Sequence, residues 1–283
     1  MKQYTLGVYE KAMPLELNFY EKLSAVKETG FDFLELSIDE TDDKLMRLDM
    51  SGAKRKEIKC AMEEIGIPIR TMCLSGHRKY PLGSKDEAIR TQSLQIMEKA
   101  IALAEDLGIR MIQLAGYDVY YEESSDETKS IFIDNLRKAV EMAARAGVLL
   151  GFETMETEFM NTVEKAMKYV NLVQSVYLQV YPDVGNLTNA AVRYATDPIA
   201  DFRLGKGHIA AVHLKETKPD IFREVPFGLG HVDFENMIEN AWSLGVRKYV
   251  AEFWYTGNPL WKQDMCDASE MMRGILRKHE INT

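Results

Sequence analysis

Four side chains stand where they could do chemistry together. Glu153 closes the apolar run Val148-Leu149-Leu150-Gly151-Phe152, and Asp183 closes Tyr177-Leu178-Gln179-Val180-Tyr181-Pro182. His213 lies late in Ala210-Ala211-Val212-His213-Leu214-Lys215, and Glu252 late in Tyr249-Val250-Ala251-Glu252-Phe253. Two glutamates, an aspartate and a histidine make a mixed oxygen and nitrogen donor set suited to one divalent ion: Mn²⁺, Co²⁺, Zn²⁺ or Mg²⁺. No thiolate joins the set, which argues against a closed structural zinc site. Taken singly, a strand-end carboxylate is ordinarily solvated or caps the next helix, and a lone histidine ordinarily packs in a core. A donor at the same relative place on four consecutive strands is what lifts the set above that background.

The elements that must position these residues are legible as alternating short β-rich runs and longer amphipathic ones. The strand windows are Tyr4–Tyr9, Phe31–Ile38, Ile69–Ser75, Met111–Tyr117, Val148–Met155, Val176–Asp183, Ala210–Lys215 and Tyr249–Tyr255. Between them, segments such as Lys54–Ile65, Asp86–Leu107 and Glu127–Ala146 carry apolar residues at spacings of three and four, and Gln263–His279 reads as a closing helix. Gly30, Gly66, Gly108, Gly147 and Gly245 each sit shortly before a strand, where a left-handed residue ends the preceding helix. Strict β-α alternation implies right-handed parallel crossovers. Eight units close an α/β structure, a single (β/α)8 TIM barrel over residues 1–283, with the metal site at the C-terminal ends of the strands. An open doubly wound sheet is the runner-up, but no GxGxxG follows the first strand.

Composition narrows the partners. The formal charge of -9 disfavours a polyanionic partner such as nucleic acid, though a small phosphorylated molecule needs only a local cationic pocket. No apolar run is long enough for a bilayer, and Met1–Gly7 lacks the uninterrupted apolar segment of a signal peptide. Cys60, Cys73 and Cys266 are scattered, with no CxxC pair, which fits a reducing cytoplasm.

At these same residues the chain resembles the sugar-phosphate isomerase/epimerase group of TIM barrels, which includes ketose 3-epimerases and endonuclease IV. The segments that carry the resemblance run nearly the whole length. They include Leu6-Gly7-Val8-Tyr9-Glu10-Lys11-Ala12, Gly30-Phe31-Asp32-Phe33-Leu34-Glu35, Cys73-Leu74-Ser75-Gly76-His77-Arg78 and Asp183-Val184-Gly185-Asn186. Later come Val212-His213-Leu214-Lys215-Glu216-Thr217-Lys218-Pro219 and Pro226-Phe227-Gly228-Leu229-Gly230. The pattern is strongest toward the branch acting on ketopentose 5-phosphates. It implies an isomerase with one divalent metal on Glu153, Asp183, His213 and Glu252, acting as a cytoplasmic homodimer. Wider ketose epimerases commonly carry a second histidine three residues after the aspartate; Asn186 stands there instead, which fits the phosphate-sugar branch.

The implied reaction inverts C3 of a ketopentose 5-phosphate, interconverting L-ribulose 5-phosphate and L-xylulose 5-phosphate through an enediolate. Two carboxylates on opposite faces of the sugar, Glu153 and Glu252, would serve as base and acid. Asp183 and His213 would be ligands only. Period-two alternation points Lys215 into the barrel mouth beside His213, where it can meet the substrate. His77, Arg78 and Lys79 follow the third strand and Arg223 follows the seventh, all candidates for the phosphate. Glu35 and Ser37 share one face of the second strand, and Tyr9 and Glu10 end the first; for all four, substrate contact and barrel filling are the alternatives. Gly228-Leu229-Gly230 reads as a turn before a helix capped by Asp233. Trp254 and Trp261 could exclude water or simply pack.

Three rival functions share parts of this pattern. An endonuclease IV-like nuclease needs a three-metal cluster and a basic groove, against five histidines and a negative chain. An aldose–ketose isomerase or a free-ketose 3-epimerase would use the same donors on a different carbon or sugar. A non-enzymatic sugar-binding barrel would not need two opposed glutamates.

Overall fold

The computed structural model describes residues 3–280; Met1, Lys2 and residues 281–283, which the single-domain reading and the reading of the N-terminus also span, lie outside the described residues. In chain order the elements are β1 (Thr5–Tyr9), α1 (Phe19–Glu28), β2 (Phe33–Ile38), α2 (Asp42–Leu45), α3 (Gly52–Ile65), β3 (Ile69–Leu74), α4 (Glu87–Leu107) and β4 (Met111–Ala115). They continue as α5 (Asp126–Ala146), β5 (Leu149–Glu153), α6 (Val163–Val173), β6 (Leu178–Tyr181) and α7 (Val184–Tyr194). The chain then runs through α8 (Pro198–Arg203), β7 (Val212–Leu214), α9 (Phe234–Ser243), β8 (Lys248–Ala251) and α10 (Trp261–Glu280).

All eight strands pair in parallel, in the order β6-β5-β4-β3-β2-β1-β8-β7. The ring closes between β6 and β7 through isolated parallel bridges, Val180 to Ile209 and Asp183 to His213. Among the described residues no helix is long and apolar enough to cross a membrane.

Local chemistry fixes most helix starts. Asn18, Ser51, Asp86, Ser125, Thr162, Asp183, Asp197 and Asp233 each cap the helix that follows with a side-chain oxygen. Each such cap is worth about 1 kcal/mol. The five glycines expected at helix ends all have positive φ, from 65° at Gly147 to 88° at Gly245.

Two layers of packing follow from strand alternation. Outward-facing residues such as Leu34, Leu36, Ile112, Leu150 and Phe152 pack under the helices. Inward-facing Phe33, Cys73, Met111, Tyr181 and Val250 fill the barrel interior. The interior is a packed core with a polar layer above it, and the site stands at its C-terminal mouth.

Candidate metal centre

Glu153, Asp183, His213 and Glu252 come together as expected. All four are buried, and one donor atom from each lies within 4.8 Å of the others. Glu153 ends β5, His213 is the central residue of β7, and Glu252 directly follows β8. Asp183 caps α7, its Oδ1 accepting the Asn186 N–H at 2.7 Å, which leaves Oδ2 for the mouth of the barrel. The first turn of α7 can approach this closely because residue 185 is glycine. A Cβ there would stand 2.7 Å from the Lys215 carbonyl and 2.7 Å from Thr217 Cγ2.

Each donor is held by a neighbour. Gln113 Nε2 donates to Glu153 Oε2. His213 Nδ1 faces Glu252 Oε2 at 2.9 Å and Glu153 Oε1 at 3.2 Å, while its Nε2 meets Glu35 Oε1 at 2.6 Å. Lys215 Nζ lies 2.8 Å from Asp183 Oδ2 and donates to Asn186 Oδ1 at 2.8 Å. Asn186 Nδ2 in turn donates to the Thr154 carbonyl at 2.7 Å.

Electrostatics separates the acids. Burial, then the charge of Glu252, pushes Glu153 above the usual carboxylate range. Burial also works to raise Glu252, but Lys215 and His213 outweigh it and hold that carboxyl low. Asp183 is pushed up to about 8, chiefly by burial, with Lys215 opposing. Burial disfavours the charge on Lys215, yet Asp183, Glu252 and Glu153 together hold its ammonium well above the ordinary value.

The donor set fits a metal on the structure's own terms. Asp183 Oδ2 and Glu252 Oε2 are buried and accept no well-angled hydrogen bond, despite the nearby Lys215 and His213 nitrogens. Buried carboxylate oxygens without a directed donor are costly, and a cation between them removes the cost. A much larger cleft, about 690 Å³, opens at the opposite end of the barrel around Gly66, Arg70, Gly108 and Lys248, far from this cluster.

The remaining expected contacts divide. Tyr9, Arg78, Asn186, Lys215 and Arg223 line the cavity at the mouth, together with Glu153 and Glu252. Arg78 is held over the Tyr120 ring at 4.5 Å and lies 3.6 Å from Glu40; Arg223 lies 3.6 Å from Glu156. Trp254 also lines this cavity, whereas Trp261 packs against the hydrophobic core at the start of α10.

His77, Glu35 and Glu10 go elsewhere. His77 is buried, with Nε2 3.1 Å from the Ser93 carbonyl, because the turn after β3 tucks it under α4. Glu35 is fully buried beneath the donors. Glu10 is buried against Lys22, Lys44 and Arg47, at 2.7, 2.9 and 2.7 Å, so it ties β1 to α1 and the α2 corner. The glycine turn 228–230 is a turn as expected, pinned where Gly228 N–H and Val232 N–H donate to the buried Glu216 carboxylate.

Sequence reasoning left out Lys11, Phe222 and Glu156 at the cavity wall and Gln113 below it. For Gln113 a signal existed: it is the polar residue within Met111-Ile112-Gln113-Leu114-Ala115. A polar side chain in the middle of a strand buried on both faces must have a buried partner.

Comparison with known proteins agrees with this geometry. The family described as xylose isomerase-like TIM barrel matches residues 23–272. The L-ribulose-5-phosphate 3-epimerase UlaE of Salmonella heidelberg (strain SL476) is 48% identical over 254 residues, 89% of this chain and 88% of that protein. The protein of the same name from Escherichia coli (strain SMS-3-5 / SECEC) is likewise 48% identical, with the same coverage. Among solved structures, a D-psicose 3-epimerase with D-tagatose from Clostridium cellulolyticum H10 shares the fold at a TM-score of 0.79. It is 17% identical, and the match covers 96% of this chain and 99% of that one. The chain therefore belongs to the xylose isomerase-like TIM-barrel family, beside relatives that are L-ribulose-5-phosphate 3-epimerases.

Proposed function

We propose that this protein is a metal-dependent isomerase that inverts C3 of a ketopentose 5-phosphate, interconverting L-ribulose 5-phosphate and L-xylulose 5-phosphate. The observation that carries the reading is the gathering of Glu153, Asp183, His213 and Glu252, all buried, at the open end of the barrel. The relatives at 48% identity support the choice of substrate.

Glu153, Asp183, His213 and Glu252 would hold one divalent ion, Zn, Mn, Co or Mg. When bound, such an ion supplies Lewis-acid stabilisation of negative charge on the ketose oxygens. The chain's own residues do the rest. Glu252, held ionised, can take the C3 proton from one face of the sugar, and Glu153, held toward the acid form, can return one to the other face. In the reverse direction the two exchange roles. Separated protonation states in a pair of buried acids are what such a two-face transfer requires. Lys215, fixed between Asp183 and Asn186, brings a positive charge to the enediolate oxygens. Tyr9 and Trp254 cover the cavity against water, and Arg78 and Arg223 at its rim would take the phosphate. A cytoplasmic homodimer completes the reading, and light scattering checks the assembly.

The deciding experiment incubates metal-loaded protein with L-ribulose 5-phosphate in D₂O and follows C3 by NMR. Deuterium at C3 with L-xylulose 5-phosphate appearing is expected. Exchange at C1 points instead to aldose–ketose isomerisation, and no exchange after metal addition sinks both.

A further inference from the structure

We propose that Glu35 is a positioning residue for the metal site, one that fixes the tautomer and orientation of His213. The proposal rests on the reading of His213 as a ligand. Glu35 lies on the inward face of β2, fully buried, and all its partners are donors or a ring nitrogen. Thr71 Oγ1 donates to Oε2 at 2.7 Å and the Tyr181 hydroxyl donates to the same oxygen at 2.9 Å. Oε1 faces His213 Nε2 at 2.6 Å. Thr71 and Tyr181 already donate to this carboxylate, so its place beside Nε2 is that of an acceptor; Nε2 then carries the proton and Nδ1 is the nitrogen left to face the site. Nδ1 is the atom aimed at the site, 2.9 Å from Glu252 Oε2 and 3.2 Å from Glu153 Oε1.

The fold is arranged around this contact. Pairing between β2 and β3 shifts register between Leu34 and Glu35, so that Glu35 stands opposite Thr71, its hydroxyl donor. The Tyr181 ring lies 4.7 Å from the imidazole, tilted by 56°, and closes one face of it. The imidazole is thus held at one edge by Glu35 and on one face by Tyr181. A buried carboxylate carries a large desolvation cost that an apolar side chain of similar size would avoid. What an apolar residue cannot do is accept the Nε2 proton, and partners that do so are the usual orienters of metal-binding histidines.

The test titrates Co²⁺ into chelator-stripped wild type, Glu35→Gln and Tyr181→Phe, in competition with a chromophoric chelator. Nitrogen-15 spectra of Zn²⁺-loaded, histidine-labelled protein report the tautomer. Glu35→Gln is expected to bind Co²⁺ about 10- to 100-fold more weakly. Tyr181→Phe should show a smaller loss in the same direction, and the wild-type spectrum should show His213 protonated at Nε2. Affinities within twofold of wild type in both variants, even with lowered thermal stability, would mean that Glu35 only packs and overturn the proposal. A proton on Nδ1 in the Zn²⁺-loaded wild type overturns it as well. If Glu35→Gln does not fold, Tyr181→Phe, which leaves the carboxylate in place, decides alone. Wild-type protein that binds no Co²⁺ overturns the metal reading itself, a result distinct from unchanged affinity in the variants.

Discussion

Asp183 and His213 are parallel partners across the seam between β6 and β7, and the His213 N–H donates to the Pro182 carbonyl at 2.9 Å. Two candidate ligands therefore stand at the place where the barrel closes, beside a seam made of isolated bridges. A metal drawn to both side chains ties the two edges together, so metal binding should couple to closure. At about 100-fold excess over its dissociation constant, Mn²⁺ or Co²⁺ should stabilise the fold by about 2.7 kcal/mol. That corresponds to about 5–10 °C in melting temperature for a chain of this size. Amide exchange at Val180, Ala210 and His213, all donors across the seam, should slow more than at β2 or β3. A rise in melting temperature with no selective protection at the seam would refute the coupling.

In the proposed reaction Glu153 and Glu252 share the work of proton transfer, so removing either should remove most of it. Glu153→Gln and Glu252→Gln keep the shape of the side chain while removing its capacity to cycle a proton. Each should lower kcat by at least about 10²-fold. Because the two act as a unit, the double variant should be little worse than the weaker single one. Steady-state kinetics on all three, each saturated with metal, checks this. A kcat within tenfold of wild type for either single variant rules that glutamate out as a proton carrier.

Arg78 and Arg223 line the cavity with only loose ion pairs, each 3.6 Å from a carboxylate, so their guanidinium groups are available to an anion. Replacing either with Ala should raise KM for the sugar phosphate by about 10- to 100-fold, the worth of a charge-assisted hydrogen bond. Turnover of free L-ribulose, however slow, should be unchanged by the same substitutions. Comparing the two substrates on each variant separates phosphate recognition from general damage. Equal losses on both substrates would place the arginines outside phosphate binding.

The barrel and its donor set were legible because the strongest signals are local. Apolar periodicity, glycine at 66, 108 and 147, and caps such as Asp86 all act within one turn of where they are written. Strand ends were less so. The windows ran to Met155, Asp183, Lys215 and Tyr255, whereas the strands stop at Glu153, Tyr181, Leu214 and Ala251. Beyond the strand ends residues such as Met155 and Phe253 continue the apolar pattern, while only isolated pairings such as Asp183 with His213 persist there. Depth is what a period-two pattern cannot carry. It places Glu35 on the inward face without saying whether it lies at the mouth or beneath the donors. The answer is set by the shear of the ring and by the register shift beside Leu34, both products of the closed sheet. Glu10 and His77 misled for a related reason. Each reads as a polar loop residue, and only three-dimensional packing puts Lys22, Lys44 and Arg47 around one and α4 over the other.

His77 offers a test of that packing through pH. Burial lowers its pKa from 6.5 to about 4, so the folded chain keeps the ring neutral, and Nε2 donates to the Ser93 carbonyl. Above pH 6.5 both folded and unfolded chains hold it neutral, and its contribution to stability is complete. Between pH 6.5 and about 4 the unfolded chain takes a proton that the folded chain refuses, so stability falls as the pH falls. The loss attributable to this residue is about 3 kcal/mol, from 1.36 kcal/mol per pKa unit. His77→Gln keeps an N–H donor for Ser93 but does not titrate. Urea unfolding of the metal-free proteins across this pH range should therefore give a shallower slope for His77→Gln than for wild type. The difference should open below pH 6.5 and stop growing near pH 4. Parallel curves for the two proteins would mean that the imidazole is not buried neutral under α4.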